Sequence, residues 1–149
     1  YNPEDVDFLD YLGVPAYKLA SISAAEPWFA AYTAKKGKPI LMSTGMASET
    51  EISEALEIAR SSGCNSILLF HCISSYPAPI GQANLKQILN IKKKFGVAVG
   101  LSDHTLGIEI PIAAAALGAK VIEKHITLDK KMKGPDHKAS LNPKELKLL

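Results

Sequence analysis

At 149 residues, 47% hydrophobic and 21% charged, the chain has the ordinary mix of a globular domain large enough for a real core. A formal net charge of +2 is too small to point to nucleic acid or an anionic membrane surface, and no apolar run approaches the ~20 residues of a membrane-spanning helix. The two cysteines, Cys64 and Cys72, lack metal spacing and secreted-scaffold density, so a reducing, cytoplasmic setting is expected.

The chain opens at Tyr1 without an initiating methionine, shows no signal peptide, and stops at Leu149 inside what reads as the first turns of a helix. A piece of a longer protein is the expectation. In chain order, residues 4–12 carry Val6, Leu9 and Leu12 at helical spacing, and Gly13 stops them as a C-terminal glycine would. Residues 16–21 read as a short strand. Residues 27–36 form a helix with Pro27 near its first turn and Gly37 at its end. Residues 39–43 are a buried strand. Ser48 with Glu51 three places on predicts a capping box, opening a helix with Ile52, Ala55, Leu56 and Ala59 on one stripe that ends at Gly63. Residues 66–72 are a third strand, followed by a proline-rich loop at residues 76–79. Residues 84–95 are helical and stop at Gly96.

Two further strands come next. Val97, Ala98 and Val99 lead into Gly100-Leu101-Ser102-Asp103-His104-Thr105, and Val121 and Ile122 lead into Glu123-Lys124-His125. The Ala-rich stretch between them, residues 108–118, reads as a helix. Asn142-Pro143 starts a last one.

Five strands, each feeding a helix, recur at a spacing of about 25 residues. Their apolar runs lack alternation, which marks parallel strands buried on both faces. Such units build a doubly wound sheet or a (β/α)8 barrel. Glycine-rich phosphate fingerprints are absent from the sequence, and every strand ends in polar residues: Lys18 and Ser21, Ser43 and Thr44, His71 and Ser74, Ser102 and His104, Glu123 and His125. Polar groups at every carboxyl end are the pattern of a barrel active site. A whole TIM barrel takes about 250 residues. The fold class expected is therefore α/β, a partial (β/α)8 barrel of about five parallel units.

Strand alternation sorts the candidates. Ser102 and His104 share a face, as do Glu123 and His125, so two imidazoles at neighbouring strand ends can aim at one divalent metal. Lys124 then points the other way, towards the helices. Lys18 stands in an otherwise apolar strand, where an unpaired ammonium is costly and an anionic ligand would offset the cost. Competing plain roles exist. Ser43, Ser74 and Ser102 can serve as helix caps, His71 as a buried group with backbone partners, and the lysines at 35, 36, 38 and 92–94 as solvated helix ends.

Read together and in order, residues 17–21, 37–39, 43–46, 71–72, 75–77, 100–107, 123–125 and 134–136 resemble the sialic acid synthase family, which makes N-acetylneuraminate, legionaminate and pseudaminate. The resemblance covers essentially the whole chain. It implies strands four to eight of a (β/α)8 barrel within residues 1–149, with the N-terminal barrel strands and a C-terminal antifreeze-like domain absent. It implies condensation of phosphoenolpyruvate with N-acetylmannosamine or a related 2-acetamido sugar, releasing phosphate. It also implies a divalent metal, Mn2+ first and Mg2+ or Co2+ as alternatives, and a homodimer for the full-length protein. By motif, His104 and His125 correspond to the metal ligands, and Lys18, Ser21, Ser43, Ser74 and Ser102 to the phosphoenolpyruvate cradle. Tyr76 and Asp136 correspond to sugar contacts. Ser23 stands where the family commonly has an acid, and Ser74 where it often has Asn or Ala. Two rival expectations are a Schiff-base aldolase acting through Lys18, and an inactive fragment.

Overall fold

The computed structural model describes residues 2–21 and 26–149. Along the chain they form α1 (Pro3–Tyr11), β1 (Tyr17–Leu19), α2 (Pro27–Ala34), β2 (Ile40–Ser43), α3 (Glu49–Ser61), β3 (Ile67–Cys72), a 3-10 turn (Ile80–Gln82), α4 (Lys86–Phe95), β4 (Ala98–Asp103), α5 (Glu109–Ala116), β5 (Ile122–Lys124) and α6 (Pro143–Leu148). The expected alternation of strand and helix is what the chain adopts. It divides into two compact units, residues 1–70 and 71–149.

In the first unit β1, β2 and β3 pair in parallel, with Lys18 opposite Leu41, Leu41 opposite Leu68, and Ser43 opposite Phe70. Period-two alternation sorts their side chains. Tyr17, Leu19, Ile40, Met42 and Leu69 fall on the buried helix-covered face. Lys18, Leu41, Ser43 and Phe70 share the other face. Helices α2 and α3 pack side by side and bury Phe29, Ala30, Ala34, Ile52, Ala55, Leu56 and Ala59.

Local chemistry sets the boundaries. The capping box on α3 is complete: Ser48 Oγ accepts the Glu51 N–H at 3.3 Å, and Glu51 Oε2 accepts the Ser48 N–H at 2.7 Å. Ser48→Ala is expected to cost about 1 kcal/mol, read by denaturant unfolding. Helix α1 starts one residue earlier than expected because Asn2 Oδ1 accepts the Asp5 N–H at 2.8 Å and Pro3 fits the first turn. Helix α2 ends two residues early. Its last turn tightens, with Lys36 N–H on the Thr33 carbonyl and Gly37 N–H on that of Ala34. Helix α4 begins at Lys86, not at residue 84, because Asn84 has a φ of 40°, outside the right-handed helical region.

In the second unit β4 and β5 pair in parallel. Strand β4 runs on through Ser102 and Asp103, past the point where its sequence turns polar, because both residues have register partners on β5. Beyond β5 the chain returns: the Leu141 N–H donates to the His125 carbonyl at 2.9 Å, and the Thr127 N–H to the Leu141 carbonyl at 2.8 Å. This fixes the backbone from the His125 carbonyl to Thr127.

Candidate active site

The register of β4 on β5 places Ser102 opposite Glu123 and Asp103 opposite Lys124. Successive pairs face opposite ways. On one face the Ser102 hydroxyl donates to Glu123 Oε1 at 2.5 Å. On the other, Lys124 Nζ lies 2.5 Å from Asp103 Oδ2, the two side chains 3% and 2% exposed. Lys124 is thus turned away from the Ser102 face, as alternation requires, and ends in a buried ion pair. One step further along each strand, the His104 and His125 rings stand 5.4 Å apart between centres, nearly perpendicular at 85°.

His104 is enclosed by the segment after β3. Its Nδ1 lies 2.7 Å from the Ile73 carbonyl, its own carbonyl accepts the Ala78 N–H at 2.8 Å, and the Tyr76 ring lies 4.0 Å from its ring centre. A carbonyl can only accept, so Nδ1 carries the proton and the Nε2 lone pair is left to ligate. Ser102 Oγ is 3.4 Å from that Nε2, with its proton already given to Glu123. Burial holds the His104 pKa below the usual 6.5, the Ile73 carbonyl opposes the shift, and the neighbouring His125 adds to it. Folding therefore favours the neutral ring. That contribution is present above the ordinary histidine value and is lost as pH falls towards the lowered one. Imidazole NMR titration of the metal-free protein is expected to find His104 changing charge at a lower pH than a free histidine.

His125 is about one-third exposed. Its Nδ1 stands 3.7 Å from Asp136 Oδ2, with Asp136 half exposed, and Tyr76 meets its ring edge-on at 5.5 Å. Asp136, expected on the sugar side, is thus also the carboxylate beside a candidate ligand, an arrangement that orients metal-bound histidines. The residues fit a divalent ion. Imidazole nitrogen binds at roughly 2.0–2.2 Å, putting an ion about 3.2 Å from each ring centre, so rings at this separation can share one at an ordinary coordination angle. Among the described residues no group of three or more His, Cys, Asp or Glu side chains forms a cage. Two imidazoles would leave the remaining positions open, as catalytic metal sites do.

In the first unit Ser21 is buried and its Oγ accepts the Gly45 N–H at 3.0 Å, tying the end of β1 to that of β2. Ser43 is buried at the end of β2. Lys18 is exposed on β1, with Nζ 5.4 Å from the centre of the Phe70 ring. In the second unit Ser74 is exposed in the irregular segment beyond β3. His71 points to the opposite face of β3 from Phe70 and Cys72, its Nε2 2.8 Å from the Ala83 carbonyl, which is the plain role its sequence allowed. Ser23 lies outside the described residues.

The roles of Glu123 and of Asp103 with Lys124 went unassigned from sequence. A signal was there. Ser-Asp-His and Glu-Lys-His each end an apolar run on neighbouring strands, so period-two alternation puts Asp103 and Lys124 together on the face away from the histidines.

Parallel βα units with polar side chains gathered at the carboxyl ends of the strands define a chain of the (β/α)8-barrel class. Solved structures agree. The spore coat polysaccharide biosynthesis protein SpsE of Bacillus subtilis matches 99% of this chain and 42% of its own at 37% identity and a TM-score of 0.95. The N-acetylneuraminic acid (sialic acid) synthetase of Leptospira borgpetersenii matches 98% of this chain and 51% of its own at 38% identity and a TM-score of 0.92. The chain belongs to the NeuB family, whose model matches residues 1–149. The N,N'-diacetyllegionaminic acid synthase of Campylobacter jejuni is 49% identical over 151 aligned positions covering all of this chain. The chain spans 45% of that relative's length, less than half.

Proposed function

We propose that this chain is the metal-bearing part of a synthase that condenses phosphoenolpyruvate with N-acetylmannosamine or a related 2-acetamido sugar to a nonulosonic acid. The observation that carries it is the His104 and His125 ring pair, 5.4 Å between centres, in a chain of the NeuB family. The names of its relatives support the product class: one makes a diacetyllegionaminic acid, another N-acetylneuraminic acid.

The reaction joins C3 of phosphoenolpyruvate to the aldehyde carbon of the open sugar, water adds at C2, and the C–O bond to phosphate breaks. His104 and His125 would hold a divalent ion, Mn2+ first among candidates, which when bound supplies a Lewis acid for the aldehyde oxygen. Glu123, kept in place by the Ser102 hydroxyl, is the carboxylate that would take a proton from the attacking water. Lys18 would supply the cation for the phosphate or carboxylate of phosphoenolpyruvate, with Ser21, Ser43, Ser74 and Ser102 as hydroxyl partners. Tyr76, half exposed over His104, and Asp136 would face the sugar. Among the described residues no helix is long and apolar enough to cross a membrane, and the proposed setting is the cytoplasm, where phosphoenolpyruvate is made. The test is to supply the protein as its gene encodes it with phosphoenolpyruvate, Mn2+ and either N-acetylmannosamine or a 2,4-diacetamido-trideoxy sugar, and to follow inorganic phosphate. Sugar-dependent phosphate release is expected; none with any of these sugars overturns the proposal.

A further inference from the structure

The buried ion pair behind the strands has no part in the chemistry above, yet it links the two histidine segments and grips the backbone directly after His104. Asp103 Oδ2 takes Lys124 Nζ, while Asp103 Oδ1 accepts the Thr105 N–H at 3.0 Å. Lys124 Nζ also donates to the Thr105 carbonyl at 2.5 Å. Both backbone polar groups of Thr105 are thereby gripped by one two-residue clamp. His104 lies between Asp103 and the gripped Thr105, just past β4, and His125 directly follows the lysine that ends β5.

We infer that Asp103 and Lys124 are positioning residues that set the separation of the His104 and His125 rings for a divalent ion. Taking two opposite charges out of water is costly, and apolar replacements of similar volume often fold as well or better, so stability alone does not account for such a pair. What an apolar pair cannot do is bond three polar groups across two strands at fixed distances. Past this pair the next contact given to the β5 side, the Leu141 N–H on the His125 carbonyl, does not reach β4. Asp103 and Lys124 have this role only if His104 and His125 bind the ion proposed above.

The test uses the gene-encoded full-length protein and Mn2+ alone, titrated calorimetrically and by electron paramagnetic resonance. A single replacement strands one charge in the interior and is expected to unfold the strand ends, so the informative variant is Asp103→Leu with Lys124→Met. It is expected to melt at or above the wild-type temperature while Mn2+ affinity falls about 10- to 100-fold and the bound-ion spectrum broadens. A second variant, Lys124→Arg, keeps the charge but replaces a point donor by a planar fork in a site without spare room. It is expected to fold and to bind Mn2+ several-fold more weakly. Wild-type protein that takes up no Mn2+ overturns the metal site and the clamp's role together. Wild-type protein that binds Mn2+, with either folded variant binding it within twofold of wild type, overturns the clamp's role alone.

Discussion

His104→Ala and His125→Ala are each expected to lower Mn2+ affinity by on the order of 100-fold or more, and by similar factors. Equality is the informative part. Two ligands of one ion lose comparable binding, whereas two histidines that merely stand near each other do not. The stability costs should differ. His104 is buried, hydrogen-bonded to the Ile73 carbonyl and stacked on Tyr76. Its truncation leaves a carbonyl unpaired and is expected to cost about 1–3 kcal/mol. His125 is about one-third exposed, and its loss should cost less than 1 kcal/mol. Calorimetric Mn2+ titration beside thermal unfolding reads both quantities. A metal affinity unchanged by either substitution would sink the shared site.

The second large effect is expected at Lys18. Lys18→Met should raise the KM for phosphoenolpyruvate about 10- to 100-fold, the weight of one charge-assisted contact to an anion, with the sugar KM nearly unchanged. Stability should move by less than about 0.5 kcal/mol, because Lys18 is exposed, with its ammonium over the face of Phe70. This pairing of a large kinetic loss with a small structural one separates an anion contact from a packing residue. Steady-state kinetics with each substrate varied in turn decides it. An unchanged phosphoenolpyruvate KM removes Lys18 from the assignment.

The order of elements was legible because each depends on local chemistry. Glycines stopped helices, Ser48 with Glu51 wrote a capping box, and apolar runs marked strands. The errors fell where non-local contacts decide. Asn84 takes a left-handed conformation and delays α4, and strand propensity gives no hint of it. Strand β4, by contrast, continues through Ser102 and Asp103 as alternation up to His104 required, and partners on β5 hold it there. The paired histidines were readable from alternation and strand order. The exposure of Lys18 was not, since the run around it reads as uniformly apolar while Tyr17 and Leu19 alone turn inward. The ion pair of Asp103 with Lys124 was missed for a related reason: alternation showed that Lys124 leaves the histidine face, not what it meets there.

Because the serine–glutamate and aspartate–lysine partners are matched residue for residue, a slip of β5 by one position would exchange its two faces. Lys124 would then enter the histidine side and Asp103 would lose its ammonium partner. Natural variation should obey this constraint. Insertions and deletions are tolerable in the turns flanking α5, where added length loops out into solvent, but not within residues 100–104 or 122–125. A lineage that gained one residue inside either strand would have to lose one from the same strand to remain functional.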